Sequence, residues 1–134
     1  MRILLDTHIL LWSIAGDSRL PAAAADIILD PDNWICYSPI SVWEVAIRQS
    51  KHPGQLLLNE EQLVHYCHEA GYIRVDLLDR HVLKLRTLQY KEGEHPHSDP
   101  FDRMLIAQAK ADDMLLLTHD KRLSGYGERC VFTV

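Results

Sequence analysis

Five short apolar runs punctuate the chain: RILL at 2–5, WICY at 34–37, YIRVD at 72–76, MLLLT at 114–118 and CVFTV at 130–134. Each has the length of a strand. The segments between them carry helical spacing: THILLWSIA (7–15), PAAAADIILD (21–30), SPISVWEVAIRQSK (38–51), NEEQLVHYCHEA (59–70), DRHVLKLRTL (79–88) and DPFDRMLIAQAKADD (99–113). Pro21 opens the second of these where proline is tolerated, Ser38 and Pro39 suit the N-cap and first turn of the third, and Gly71 stops the fourth. HPGQ (52–55) is a break, KEGEHPHS (91–98) a polar loop and KRLSGYG (121–127) a turn region. Short apolar strands alternating with helices predict an α/β fold, a parallel sheet covered on both faces. No repeat, low-complexity segment or long linker interrupts the pattern, so the expectation is one domain, 1–134.

Four acids stand where this pattern calls for something else. Asp6 ends the first strand inside LLDTHILLW, and a carboxylate in apolar surroundings costs several kcal/mol unless compensated. An N-cap of the following helix is its ordinary role. At about 100° per residue, Ile40, Trp43 and Ile47 share one arc of the third helix, and Glu44 falls within it. Glu44 therefore faces the interior or a cleft wall, or pairs with Arg48 one turn on. In the last helix Phe101, Leu105, Ile106 and Ala109 define an apolar arc into which Asp102 projects, while Asp99 before Pro100 suits the N-cap. Asp120 follows the MLLLT strand and alone would be an ordinary turn residue.

In parallel sheets the functional crevice lies beyond the carboxyl ends of the strands, and all four acids converge there. Packed carboxylates repel and take up protons unless a cation neutralises them. Oxygen donors of this kind suit Mg²⁺ or Mn²⁺, which keep waters and substrate phosphate oxygens in their shells. The chemistry expected is metal-dependent phosphodiester hydrolysis.

Composition narrows this without redirecting it. Fourteen basic and 19 acidic residues leave a formal charge of −5, which argues against a protein that coats nucleic acid through bulk electrostatics. Cys36, Cys67 and Cys130 form no metal-binding pair and are odd in number, as in a reducing cytosol. Asp6 and His8 interrupt the N-terminal apolar run, and no stretch reaches membrane-span length. A cytoplasmic protein is expected, with no membrane partner.

The segments LLDTHILLW, SVWEVAI, DPFDRMLIAQA and LLLTHD, taken in that order, resemble the PIN-domain ribonucleases, and more closely the VapC-type toxins of bacterial toxin–antitoxin pairs. The resemblance implies a three-layer α/β/α sandwich around a central parallel sheet. It implies that Asp6, Glu44, Asp102 and Asp120 are the catalytic acids and the metal ligands, with Mg²⁺ or Mn²⁺ as cofactor. Thr7 and Thr118 become supporting hydroxyls, and Asp99 stands between N-cap and outer-shell partner. It further implies an RNA substrate, a small antitoxin bound over the cleft, and a homodimer.

Other residues have two readings. His95 and His97 flank Pro96 in a loop whose polarity favours solvent; contact with RNA or proton donation is the functional alternative. His8 and His119 adjoin proposed ligands. Arg48, Lys51, Arg103, Lys121 and Arg122 lie near the site in sequence, as RNA grips or as a solvated face. Arg103 beside Asp102 is the first candidate grip. Trp12, Trp43 and Tyr66 read as core or interface residues. Two rival functions remain: a non-catalytic PIN-like binding module, and a response-regulator-type phosphoacceptor domain, for which Asp76 after YIRVD would be the acceptor. No G-x-x-x-x-G-K-[ST] loop occurs.

Overall fold

Side chains alternate across the strands and so divide the interior in two. A computed structural model describes residues 1–93 and 95–134; Glu94, within the KEGEHPHS loop, lies outside the described residues. The strands are β1 (Arg2–Leu5), β2 (Trp34–Tyr37), β3 (Ile73–Arg74), β4 (Leu115–Thr118) and β5 (Val131–Thr133). They form one parallel sheet in the order β3-β2-β1-β4-β5. Ile3, Leu5, Ile35, Tyr37 and Leu117 face one side, packing on α1 (Thr7–Ala15), α2 (Ala22–Leu29), α4 (Glu60–Glu69) and Val45 of α3 (Pro39–Lys51). Leu4, Cys36 and Leu116 face the other, against α6 (Pro100–Ala111), Leu88, Leu123 and Tyr126. A fully buried leucine such as Leu4, Leu5 or Leu116 contributes roughly 1.5–3 kcal/mol. The result is the three-layer α/β/α arrangement expected of the sequence.

The departures are local. Pro21 precedes α2 in extended backbone instead of occupying its first turn. The YIRVD strand shrinks to Ile73–Arg74 at the sheet edge, where Arg74 turns outward to Asp76 at 2.8 Å. DRHVLKLRTL divides into α5 (Asp79–Lys84) and a 3₁₀ turn, Leu85–Thr87. The start of α5 is fixed by buried His81: its Nδ1 accepts from Leu78 N at 2.9 Å, and its Nε2 lies 2.9 Å from Asp112. KRLSGYG forms a 3₁₀ helix over Lys121–Tyr126.

The strand order positions the site. From β1 the chain moves outward through β2 to β3, then returns to place β4 on the other flank of β1. The reversal lies between β1 and β4, where open α/β sheets bind ligands. A polar clamp ties the neighbouring strand ends to α6: buried Ser38 donates to Gln108 Oε1 at 2.6 Å, and Gln108 donates to Val75 O at 3.3 Å. The phosphoacceptor rival requires the order 2-1-3-4-5, which this sheet does not have.

Candidate functional site

Asp6 leaves the end of β1 at the reversal point. Its Oδ1 accepts from Ile9 N at 2.9 Å and so caps α1, while its Oδ2 accepts from the Thr118 hydroxyl across the gap to β4. Only 4% of the residue is exposed. Burial pushes its carboxyl upward, against the lowering effects of Thr118, Ile9 and His8; Glu44 adds to the rise.

Glu44 is buried on α3, as its position in the helical pattern predicts. Both readings of it hold together. Its Oε1 accepts from Thr7 at 2.7 Å, and its Oε2 meets Arg48 at 2.8 Å. Thr7 also stands 3.0 Å from Ser41 Oγ. The buried face of α3 is Ile40, Ser41, Glu44 and Val45, rotated from the expected arc. Trp43 is consequently 57% exposed, its ring edge-on to Phe101 at 5.2 Å. Tyr66 is exposed as well.

Asp102 sits in the first turn of α6, where Asp99 is the N-cap and accepts from Asp102 N at 3.0 Å. Its carboxyl is pushed up to about 7, by burial first and then by Asp99, Asp6, Glu44 and Asp120. The three other acids of the set thus all act on Asp102: segments far apart in sequence bring their charges to one crevice. Asp120 begins the 3₁₀ helix, accepting from Arg122 N at 3.0 Å and from the Arg122 guanidinium at 2.8 Å. Those contacts hold its carboxyl below the usual range. Thr118 links two of the acids, since its hydroxyl donates to Asp6 and accepts from Asp120 N at 3.0 Å.

His97 corrects the expectation of a solvated loop. Its side chain is 2% exposed, with Nε2 3.0 Å from Asp102 Oδ2 and Nδ1 2.8 Å from the Tyr126 hydroxyl. Burial draws its pKa below the ordinary value. One donor atom each from His97, Asp102 and Asp120 lie within 4.8 Å of one another. Proximity to DPFDR was the available signal, but the loop's polarity outweighed it; the burying partner, Tyr126, is 29 residues away. His95 is exposed.

The remaining candidates fall around the crevice. Arg103 turns to Tyr126, with its guanidinium 5.6 Å from the ring centre and 3.5 Å from the hydroxyl. His8 is exposed, 3.3 Å from Arg48, and His119 reaches Val134 O at 2.5 Å. Lys51 and Lys121 are exposed.

The donor set fits a divalent cation. Glu44 and Asp120 have arginine partners, whereas Asp6 and Asp102, both largely buried, have no lysine or arginine partner among the described residues. A hard cation among these oxygens would supply the missing charge. No helix among the described residues is long and apolar enough to cross a membrane.

Comparison with known proteins adds an independent line. A profile of the PIN domain matches residues 3–128. Among solved structures, the chain is similar to VapBC2 from Rickettsia felis, whose crystal structure is bound to a DNA fragment from their promoter. The identity there is 17%, covering 100% of this chain and 98% of that one, with a TM-score of 0.69. It is similar to DNA-bound VapBC from Salmonella typhimurium at 14% identity, covering 99% and 98%, TM-score 0.68. VapBC-1 from nontypeable Haemophilus influenzae shows 18% identity over 99% and 98%, TM-score 0.66. These likenesses carry the fold. No curated protein matches the sequence.

Proposed function

The chain belongs to the PIN-domain family, and on that premise we propose that it is a Mg²⁺- or Mn²⁺-dependent endoribonuclease, the toxin of a VapC-type toxin–antitoxin pair. What supports this is that Thr118 bridges Asp6 and Asp120, that Asp102 and Asp120 bring donor atoms within 4.8 Å of one another beside His97, and that Asp6 and Glu44 lie near enough to add to the burial that raises Asp102 to about 7. These four would hold the metal. When bound, the metal would supply an activated water and offset the charge that develops on a phosphodiester under attack. The chain's own groups set the geometry around it. Thr7 orients Glu44, Thr118 orients Asp6 and the backbone of Asp120, and Asp99 holds the first turn of α6. Arg48 and Arg122, paired with acids here, are placed to receive phosphate oxygens once a cation takes those carboxylates. Asp6, Glu44 and Asp120 also serve as caps or ion-pair partners, whereas Asp102, raised by burial without a lysine or arginine partner among the described residues, argues against a non-catalytic module.

Cleavage of total cellular RNA is the direct test. Discrete cuts are expected with Mg²⁺ or Mn²⁺ and none with EDTA. Cuts that persist in EDTA would sink the metal-dependent reading, and absence of both cutting and divalent-metal binding would leave only the binding module.

The solved relatives are described as VapBC or toxin–antitoxin complexes, which supports a small protein partner for this chain too. Co-expression with a small protein encoded beside it is expected to restore growth that the chain alone arrests. Arrest that continues despite verified expression of that neighbour would count against it. Free Cys36, Cys67 and Cys130 agree with a cytoplasmic setting, and a homodimer belongs to the same proposal.

A further inference from the structure

Among the described residues, His97 is the one imidazole that touches a proposed ligand, and its environment fixes which nitrogen faces the acids. The Tyr126 hydroxyl has a single proton and lies 2.8 Å from both His97 O and His97 Nδ1. With that proton donated to the carbonyl, the tyrosine oxygen accepts from Nδ1–H. Nε2 of the neutral ring is then a bare lone pair directed at Asp102 Oδ2, 3.0 Å away. In the metal-free chain a shared proton bridges the two atoms as a hydrogen bond, and a cation that takes both atoms as ligands displaces it. A separation of about 3.0 Å is also the edge between neighbouring ligands of an octahedral ion with bonds of 2.0–2.1 Å. An Asp120 oxygen completes a compact triplet with these two atoms.

We infer that His97 Nε2 is itself a metal ligand, so that the centre is a mixed nitrogen–oxygen site that discriminates in favour of Mn²⁺ over Mg²⁺. This rests on the metal-dependent reading above and extends it. Mg²⁺ has little use for an imidazole, whereas transition ions accept one readily. The ring is already held for that role. Tyr126 fixes Nδ1 from behind, as outer-shell partners of ligating histidines do, and the rings of Tyr90 and Tyr126 pack at 6.1 and 5.5 Å. Tyr90 in turn lies where any side chain on Gly125 would be, a Cβ there meeting its ring at 2.5 Å.

The test is pulsed electron paramagnetic resonance on the full chain loaded with Mn²⁺, prepared with natural-abundance and with ¹⁵N-labelled histidine. Echo modulation from a directly bonded histidine nitrogen is expected in the unaltered protein. His97→Gln should lose it and bind Mn²⁺ at least about 100-fold more weakly, beyond the 10–100-fold typical of an outer-shell partner, with a smaller loss for Mg²⁺. The triple variant His8→Gln/His95→Gln/His119→Gln, altered only at exposed positions, should keep it, which removes the other histidines near the crevice from the assignment even if His97→Gln does not fold. Bound Mn²⁺ without histidine modulation overturns the inference, leaves the metal centre intact and reduces His97 to a group that orients Asp102. Modulation that survives in His97→Gln, or vanishes in the triple variant, also overturns it by assigning the nitrogen elsewhere. Failure of Mn²⁺ to bind at all removes both the inference and the reading beneath it.

Discussion

Asp6→Asn is expected to keep the fold and to lose metal-dependent RNA cleavage by at least about 100-fold, beyond the 10–100-fold typical of an outer-shell partner. The structural half follows from the cap. Asp6 accepts from Ile9 N at 2.9 Å, and asparagine caps a helix as well as aspartate does. Its amide can also face Thr118 Oγ1, which has lone pairs to receive it. Exchanging a buried carboxyl for a neutral amide removes a group whose ionisation burial opposes, so the metal-free variant should unfold at the same denaturant concentration as the parent or a higher one. Asp6→Ala separates the two roles, because it additionally loses the cap at about 0.5–2 kcal/mol. Cleavage by well-folded Asp6→Asn at the parental rate would remove this residue from the catalytic set.

The second large effect is on stability, and it links pH to metal. Asp102 titrates at about 7 in the folded protein against 3.8 in the unfolded chain. Between those values the folded state binds the extra proton, so stability falls as pH rises and the contribution is gone above pH 7. Asp6 is shifted in the same direction. Two shifts have the opposite sign. Asp120, lowered by Arg122, acts only near and below the ordinary carboxylate range, and His97, lowered by burial, adds stability as pH climbs through the ordinary histidine range. The His97 gain tails off above about pH 6.5, so the falling Asp102 contribution dominates from that point. From there to about pH 8 the metal-free protein should lose on the order of 1 kcal/mol. A divalent cation at a hundredfold excess over its Kd should restore about 2.7 kcal/mol, and should do so more fully at the upper end of the window, where it no longer competes with the proton. Thermal unfolding in EDTA, Mg²⁺ and Mn²⁺ across that range reads this directly. A metal-free protein that grows more stable across the window, or one whose Tm ignores both cations at pH 8, would contradict a cation-seeking crevice.

The legible parts of the chain share one property: their causes are local. Ser38-Pro39 and Asp99-Pro100 cap α3 and α6 as their order along the chain dictates. RILL, WICY and LLLT become the central strands because so few residues that are apolar on both faces can be buried only inside a covered parallel sheet. Helical periodicity alone turns Glu44 and Asp102 inward. The weaker elements depart from the pattern for the converse reason. YIRVD supplies only a two-residue edge strand because one flank has no partner, and α5 takes its start from His81 and a contact to Asp112, 31 residues on. The arc on α3 was rotated because hydrophobicity is a poor guide where a helix lines a polar crevice: Ser41 is buried beside Thr7 and Glu44, and Trp43 is left outside.

For the site the same division holds. The identity of the acids, their places at strand and helix ends and the resemblance they carry were determined by the sequence, since each follows from a residue type at a fixed distance from its own cap or strand. Only the tertiary structure decided which charges are neutralised and which are not: Arg48 on Glu44, Arg122 on Asp120, and neither lysine nor arginine on Asp6 or Asp102 among the described residues. It also took His97 out of an apparently solvated loop and set it against Asp102 under Tyr126. The physical reason is that helix period and capping act within a few residues, whereas burial and Coulomb interaction act through space between segments that only the closed sheet brings together.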